Sequence, residues 1–282
     1  MWPYVVEWGW FKIGTYGVMM AVGFLTASWL LARDLKRRNM SPAIADTIVL
    51  LGIVGGVLGA KLAYMWTEAR SFEWGDLLSG NGLTWHGGLI LAAAMIIGFF
   101  FWKGLPLRVM LDVVAPELAT GYAFGRLGCQ ISGDGCYGVP CGPDAVDKFL
   151  CMAYPNGIVP EHAVVHATPM YEAAANFALF GILWKLRGRI RNPGVLFGIY
   201  LVASGASRFA IEYIRRADGR PDRFWGLRDA HLIALGQIVL GLVLLAWWGF
   251  KKPASLPDYG VMPASAPAPS TAPVRARRRK GK

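Results

Sequence analysis

The chain reads as an all-α polytopic membrane protein of seven transmembrane helices, with the N-terminus outside and the C-terminus cytoplasmic. Three observations predict this. Of its 282 residues, 55% are hydrophobic and only 17% charged, whereas a soluble domain carries about 25% charged residues. Seven apolar runs recur, each near the roughly 20 residues that a helix needs to cross a bilayer. Basic clusters occupy alternate connections between the runs, as the positive-inside bias requires. Twelve Trp and ten Tyr suit belts at the two interfaces.

The first run, 13–32, stops at Arg33-Asp-Leu-Lys-Arg-Arg38. The second, 43–66, follows Ser41-Pro42, a helix-start signal. A polar stretch, 67–83, precedes the third run, 89–102, which opens near Thr84 and ends at Lys103-Gly-Leu-Pro106. The fourth run is 109–131, followed by a polar, Gly/Pro-rich segment over 132–168. The fifth, 169–186, stops at Arg187-Gly-Arg-Ile-Arg191. The sixth is 194–214, then a charged loop, 215–229, and the seventh is 230–250. The spacing therefore predicts one membrane domain over 1–252 and a disordered, basic cytoplasmic tail over 253–282. Met1-Trp-Pro-Tyr4 lacks a basic n-region, so no cleavable signal peptide is expected.

Counting Lys and Arg puts 33–38, 103–108, 185–191 and the C-terminus in the cytoplasm. Loops 67–83, 132–168 and 215–229 are then external. The last breaks the bias with five arginines. Either strong flanking spans override it, or the arginines face an anion. The net charge of +11 lies largely in short loops and the tail, which points to anionic lipid and topology, not to nucleic acid.

The candidate site begins at Gly125-Arg126-Leu-Gly128. An arginine at the end of an apolar run is costly, and its default reading is functional. Arg126 can fork two phosphate oxygens, and the glycines let backbone N–H groups approach an anion. A snorkelling arginine before a turn is the plainer alternative. Arg208, Glu212 and Arg215 recur at i, i+4, i+7, on one helix face. Two arginines against one carboxylate leave a positive charge on that face. His86, before two glycines, is a candidate base or hydrogen-bond donor. Asp134, His166 and Glu172 fall at the same level, and Tyr16 near the outer end of the first span. Residues from several spans thus converge near one face of the bilayer, where they would hold a phosphorylated amphiphile. The spacing of Cys129, Cys136, Cys141 and Cys151 does not match paired CxxC zinc sites. His162 and His166 leave a metal site as a lesser reading, and a Cys136–Cys141 disulfide is expected if the loop meets an oxidising space.

These motifs together resemble the prolipoprotein diacylglyceryl transferase family. The resemblance rests on Tyr16-Gly17, His86-Gly87-Gly88, Gly125-Arg126-Leu127-Gly128 with Gly133 and Gly138, and Arg208-Phe-x-x-Glu212-x-x-Arg215. His166 to Tyr171-Glu172 resembles the family's His-Pro-x-Gln-Leu-Tyr-Glu. The match runs over about 10–250, in the family's order. Departures are local. The usual Gly-Asn-Phe-Ile-Asn-Gly-Glu is here Gly128-Cys-Gln-Ile-Ser-Gly-Asp134, and Pro169 replaces a glutamine.

The resemblance implies a multi-pass enzyme of the bacterial inner membrane with its site toward the periplasm. It implies transfer of the diacylglyceryl group of phosphatidylglycerol to the lipobox cysteine thiol of a pre-prolipoprotein, releasing glycerol 1-phosphate. His86, Arg126 and Arg208 would be catalytic. Tyr16, Gly125, Gly128, Asp134, Glu172, Glu212 and Arg215 would bind substrate, with no metal or organic cofactor. The competing classes are a transporter or channel for an anionic solute and a non-catalytic phospholipid-binding protein. A transporter should carry polar residues deep in several spans, whereas the deep segments here read as largely Leu, Val, Ala, Gly and Phe.

Overall fold

In a computed structural model, residues 1–9, 11–67, 85–142, 150–216 and 226–249 are described. They form seven helices. These are α1 (Thr15–Arg37), α2 (Ala43–Thr67), α3 (Trp85–Trp102), α4 (Leu107–Ser132), α5 (Thr168–Leu186), α6 (Val195–Glu212) and α7 (Asp229–Gly249). The expected loop 67–83 and tail 253–282 lie outside the described residues, as does much of loop 215–229.

Four helices, α1, α2, α6 and α7, are long and apolar enough to cross a membrane, and α3 is a shorter apolar helix. Large apolar side chains face outward along them, Leu25 at 72% and Ile90 at 69% exposure. Such a surface suits lipid and not water. The two remaining helices, α4 and α5, carry more polar groups. Helix α4 buries Asp112, Glu117, Thr120, Gln130 and Ser132, and α5 buries Glu172 and Asn176. The expectation of largely apolar deep segments is thus qualified at these two helices, which face protein. α4 packs on α1, α5 and α6, and so forms the centre of the bundle.

Small residues let the helices approach closely, as in membrane bundles. A Cβ on Gly87 of α3 would meet Ala63 Cβ of α2 at 2.2 Å, and one on Gly241 of α7 would meet Gly198 O of α6 at 3.0 Å. At the end of the bundle where α1 and α5 finish, Asp34 gathers Arg37, Arg38 and Arg187 at 2.8, 3.0 and 3.2 Å. Helix α1 therefore runs on through the basic residues that the sequence suggested would stop it. Beside them Asp112 of α4 accepts the N–H groups of Gly194 and Phe197 at 2.7 and 2.9 Å, capping α6 from a neighbouring helix.

The all-α expectation needs one addition. Two antiparallel hairpins sit at the opposite end, β1 (Tyr4–Trp8) with β2 (Phe11–Gly14) and β3 (Cys151–Tyr154) with β4 (Glu161–His166). Trp2 N–H donates to Ile131 O at 3.0 Å, tying the first hairpin to the end of α4. The disulfide joins Cys141 to Cys151, not Cys136 to Cys141. Cys141 is held beside β4 by its N–H bond to Val164 O at 3.0 Å, which brings it to the start of β3. Cys136 turns instead toward the arginines, and Cys129 and Cys136 are free.

Candidate functional site

The site lies at the hairpin end, where α4 and α6 finish and α5 and α7 begin. Glu172, in the first turns of α5, is buried. Its Oε2 pairs with Arg126 Nε of α4 at 2.5 Å, and its Oε1 with Arg208 Nη1 of α6 at 2.9 Å. Arg215 Nη1, just beyond α6, approaches the same Oε1 at 3.7 Å. Arg208 also pairs with buried Glu212 Oε2 at 2.7 Å, the expected i, i+4 contact. Glu212 Oε1 takes Arg228 Nη1 at 3.2 Å, and that nitrogen donates to Arg215 O at 3.0 Å. Among the described residues, four guanidinium groups thus face two carboxylates, an excess of two positive charges. Such an excess is electrostatically favourable for an anion.

Arg126 is anchored from its own helix. Its Nη2 donates to Tyr122 Oη at 2.9 Å, one turn earlier, and its guanidinium stands over that ring at 4.9 Å. Its Nη1 lies 3.9 Å from Cys129 Sγ and 3.7 Å from Cys136 Sγ. Arg215 Nη2 donates to Cys136 Sγ at 3.3 Å. The Cys136 thiol is held below its usual range, first by a hydrogen bond from Cys129 and also by Arg215 and Arg126, against the opposing pull of burial.

The glycines act differently from the sequence expectation. Gly125 and Gly128 are helical residues of α4, so their N–H groups belong to the helix and not to an anion cradle. Gly128 instead lets α1 approach. A Cβ there would meet Tyr16 Cδ2 at 3.1 Å, which is how Tyr16 comes to lie over this end of α4. The turn begins later, at Gly133, which closes α4 in the left-handed region at φ 65°. Gly138 is needed for close approach, because a Cβ would meet His166 Cβ at 2.6 Å and Ile214 O at 2.7 Å. Asp134 accepts the Cys136 N–H at 3.2 Å. His166 Nδ1 lies 2.9 Å from Tyr171 Oη, outside the arginine cluster.

Arg126, Glu172, Arg208, Glu212 and Arg215 are therefore brought together, with Tyr16 and Asp134 at the rim. His86 stands exposed in the first turn of α3, and its glycines Gly87 and Gly88 pack on α2. Among the described residues, the contacts of the arginine cluster run to α4, α5, α6 and the start of α7. Sequence reasoning missed Arg228 and Tyr122. Arg228 was visible as one of five arginines in a loop, and Tyr122 as the residue four before Arg126.

A helical bundle with a lipid-facing surface and a buried cluster of paired arginines and carboxylates at one end defines a helical membrane protein. A sequence model of the prolipoprotein diacylglyceryl transferases matches residues 3–247. The chain belongs to that family. It is 33% identical to the phosphatidylglycerol–prolipoprotein diacylglyceryl transferase of Leptospira interrogans, over 86% of this chain and 91% of the relative. It is 30% identical to the enzymes of that name from Clostridium tetani, over 89% and 99%, and Rhodospirillum rubrum, over 90% and 95%.

Proposed function

We propose that this protein moves the diacylglyceryl group of phosphatidylglycerol onto the lipobox cysteine thiol of pre-prolipoproteins, releasing glycerol 1-phosphate. It does so at the periplasmic face of the bacterial inner membrane. In this reading all seven helices span the bilayer, with the N-terminus outside and the C-terminus cytoplasmic. The observation that carries the reaction is the convergence of Arg126 and Arg208 on the two oxygens of Glu172, at 2.5 and 2.9 Å. A carboxylate held by two forks marks where a phosphate can be held by the same forks.

The roles follow from charge. The departing glycerol phosphate gains negative charge as the carbon–oxygen bond breaks. Arg126 and Arg208 meet that charge without reorganising, because Glu172, Glu212 and Tyr122 already fix them. Arg215 and Arg228 supply the remaining positive charge. Tyr16 and Asp134 line the approach, and Gly125 and Gly128 set the α1–α4 distance that puts Tyr16 there. His86 is assigned the proton of the attacking thiol, since only the thiolate attacks.

The test uses detergent-purified protein, phosphatidylglycerol labelled in its head group and a lipobox peptide. Labelled glycerol phosphate should appear together with a peptide heavier by one diacylglyceryl unit. If the lipid binds and neither product forms where a relative is active, the protein is a non-catalytic lipid binder and the proposal fails. Arg126→Ala and Arg208→Ala should each lose on the order of 100-fold in turnover while still inserting in the membrane.

A further inference from the structure

Cys129 and Cys136 are both free, and their sulfurs lie within 4.8 Å of one another. The transfer reaction uses neither. Their settings differ. Cys129 is buried near the end of α4, whereas Cys136 is half-buried in the loop beyond Gly133. Arg215 Nη2 lies 3.3 Å from Cys136 Sγ and Arg126 Nη1 3.7 Å, so two guanidinium groups face that sulfur. With the hydrogen bond from Cys129, they hold the Cys136 thiol below its usual range. A cation-activated sulfur within reach of solvent, backed by a buried one, supplies the attacking and the resolving thiol of disulfide exchange.

The Cys141–Cys151 disulfide stands at the same end of the molecule. Where one disulfide persists, other thiols are exposed to oxidation. A substrate cysteine caught as a mixed disulfide has no free sulfur to receive the diacylglyceryl group. We propose that Cys136 and Cys129 form a redox-active dithiol that frees the substrate cysteine when it arrives blocked in this way. That the freed thiol is the acceptor of a lipid rests on the transferase reading above; the exchange chemistry does not.

The Cys136 thiolate attacks the substrate sulfur. The mixed disulfide breaks, and its electron pair leaves with the blocking thiolate, which takes a proton from water. Cys129 then gives its proton to water and attacks Cys136. The second disulfide breaks, and the substrate sulfur leaves as a thiolate. Two electrons have passed from the dithiol to the substrate disulfide, and Cys129–Cys136 is left oxidised. A thiol reductant from outside the protein reopens it for the next cycle. The freed sulfur appears beside Arg126, which also reaches Glu172, so it is released where transfer takes place. A substrate that arrives as a free thiol bypasses the pair and gives its proton to His86.

The experiment uses full-length protein, mildly reduced and then freed of reductant, and a lipobox peptide whose cysteine is capped by a coloured aromatic thiol. That thiol is the better leaving group, so attack falls on the peptide sulfur. Wild-type protein should release about one aromatic thiol and one free peptide thiol per chain. Mass mapping should then place the new disulfide at Cys129–Cys136. Cys129→Ser should stop at a covalent protein–peptide disulfide, and Cys136→Ser should slow release roughly tenfold or more. Release by Cys136→Ser at the wild-type rate, or no trapped adduct in Cys129→Ser, overturns the proposal. With phosphatidylglycerol present, wild-type protein should lipidate the capped peptide up to about once per chain without other reductant. Lipidation of the free-thiol peptide without exchange on the capped one defeats the dithiol alone. Exchange without lipidation of the free-thiol peptide defeats the transferase reading and leaves the dithiol standing.

Discussion

Glu172 is the residue on which the cationic groups lean. Its carboxylate touches Arg126, Arg208 and Arg215, whose side chains are only 16–25% exposed. Removing one partner of a buried ion pair costs about 3–5 kcal/mol, and partial exposure puts this case at the low end. Glu172→Gln keeps the shape and removes the charge. Its thermal unfolding temperature should fall in neutral detergent and recover in phosphatidylglycerol micelles, where a lipid phosphate replaces the lost carboxylate. An equal fall in both media would deny phosphate binding here. Arg228 serves Glu212 and the Arg215 carbonyl through one nitrogen. A charge-assisted bond of this kind contributes about 1.5–3 kcal/mol, so Arg228→Ala should lower kcat/KM roughly tenfold or more, with partial recovery in Arg228→Lys. Normal kinetics in Arg228→Ala would remove it from the site. The other site charges were legible in the sequence because an ionised group at the end of an apolar run is conspicuous. Arg228 was not, since its partner depends on the path of a loop. Tyr122 was not, because a tyrosine in a span reads as a belt residue until its hydroxyl is seen on Arg126.

Helices place these residues through glycine contacts, and here the sequence was read less well. Gly125 and Gly128 looked like an anion-binding loop, yet α4 runs through both and ends at Gly133. The apolar run alone could not locate that end, since helix and turn use the same residues. His86-Gly87-Gly88 likewise reads as a site motif, but its two glycines dock α3 onto α2. A Cβ on Gly87 would come within 2.4 Å of Gly59 O as well as Ala63 Cβ, and backbone cannot easily yield. Overpacking of this sort costs about 1–3 kcal/mol or more. Gly87→Val should therefore lower the unfolding temperature and the turnover together. His86→Gln should leave the unfolding temperature unchanged and lower turnover, because the attacking thiol loses its base. A stability loss in His86→Gln equal to that of Gly87→Val would make His86 a packing residue.

Among the described residues, the buried ion pairs fall into two layers at the ends of the bundle. One holds Asp34, Arg37, Arg38 and Arg187, the other the six charges around Glu172 and Glu212. Helix α2, with 25 residues, is roughly 37 Å long, close to a bilayer with part of its interfaces. This layering was legible in the sequence because clusters of Lys and Arg punctuate alternate ends of the apolar runs. The hairpins escaped it, since β1 is only five residues long, exposed throughout, and too short for its alternation to stand out. The direction across the membrane has a second, independent argument. The Cys141–Cys151 disulfide sits with β3 and β4 at the site end, and disulfides persist in oxidising compartments. Under the proposed orientation Glu161 lies outside and Arg189 inside. In intact cells, Glu161→Cys should react with a membrane-impermeant maleimide, and Arg189→Cys should react only after the membrane is opened. The reverse pattern would turn the molecule over and put the arginine cluster where a translocated lipobox cysteine could not reach it.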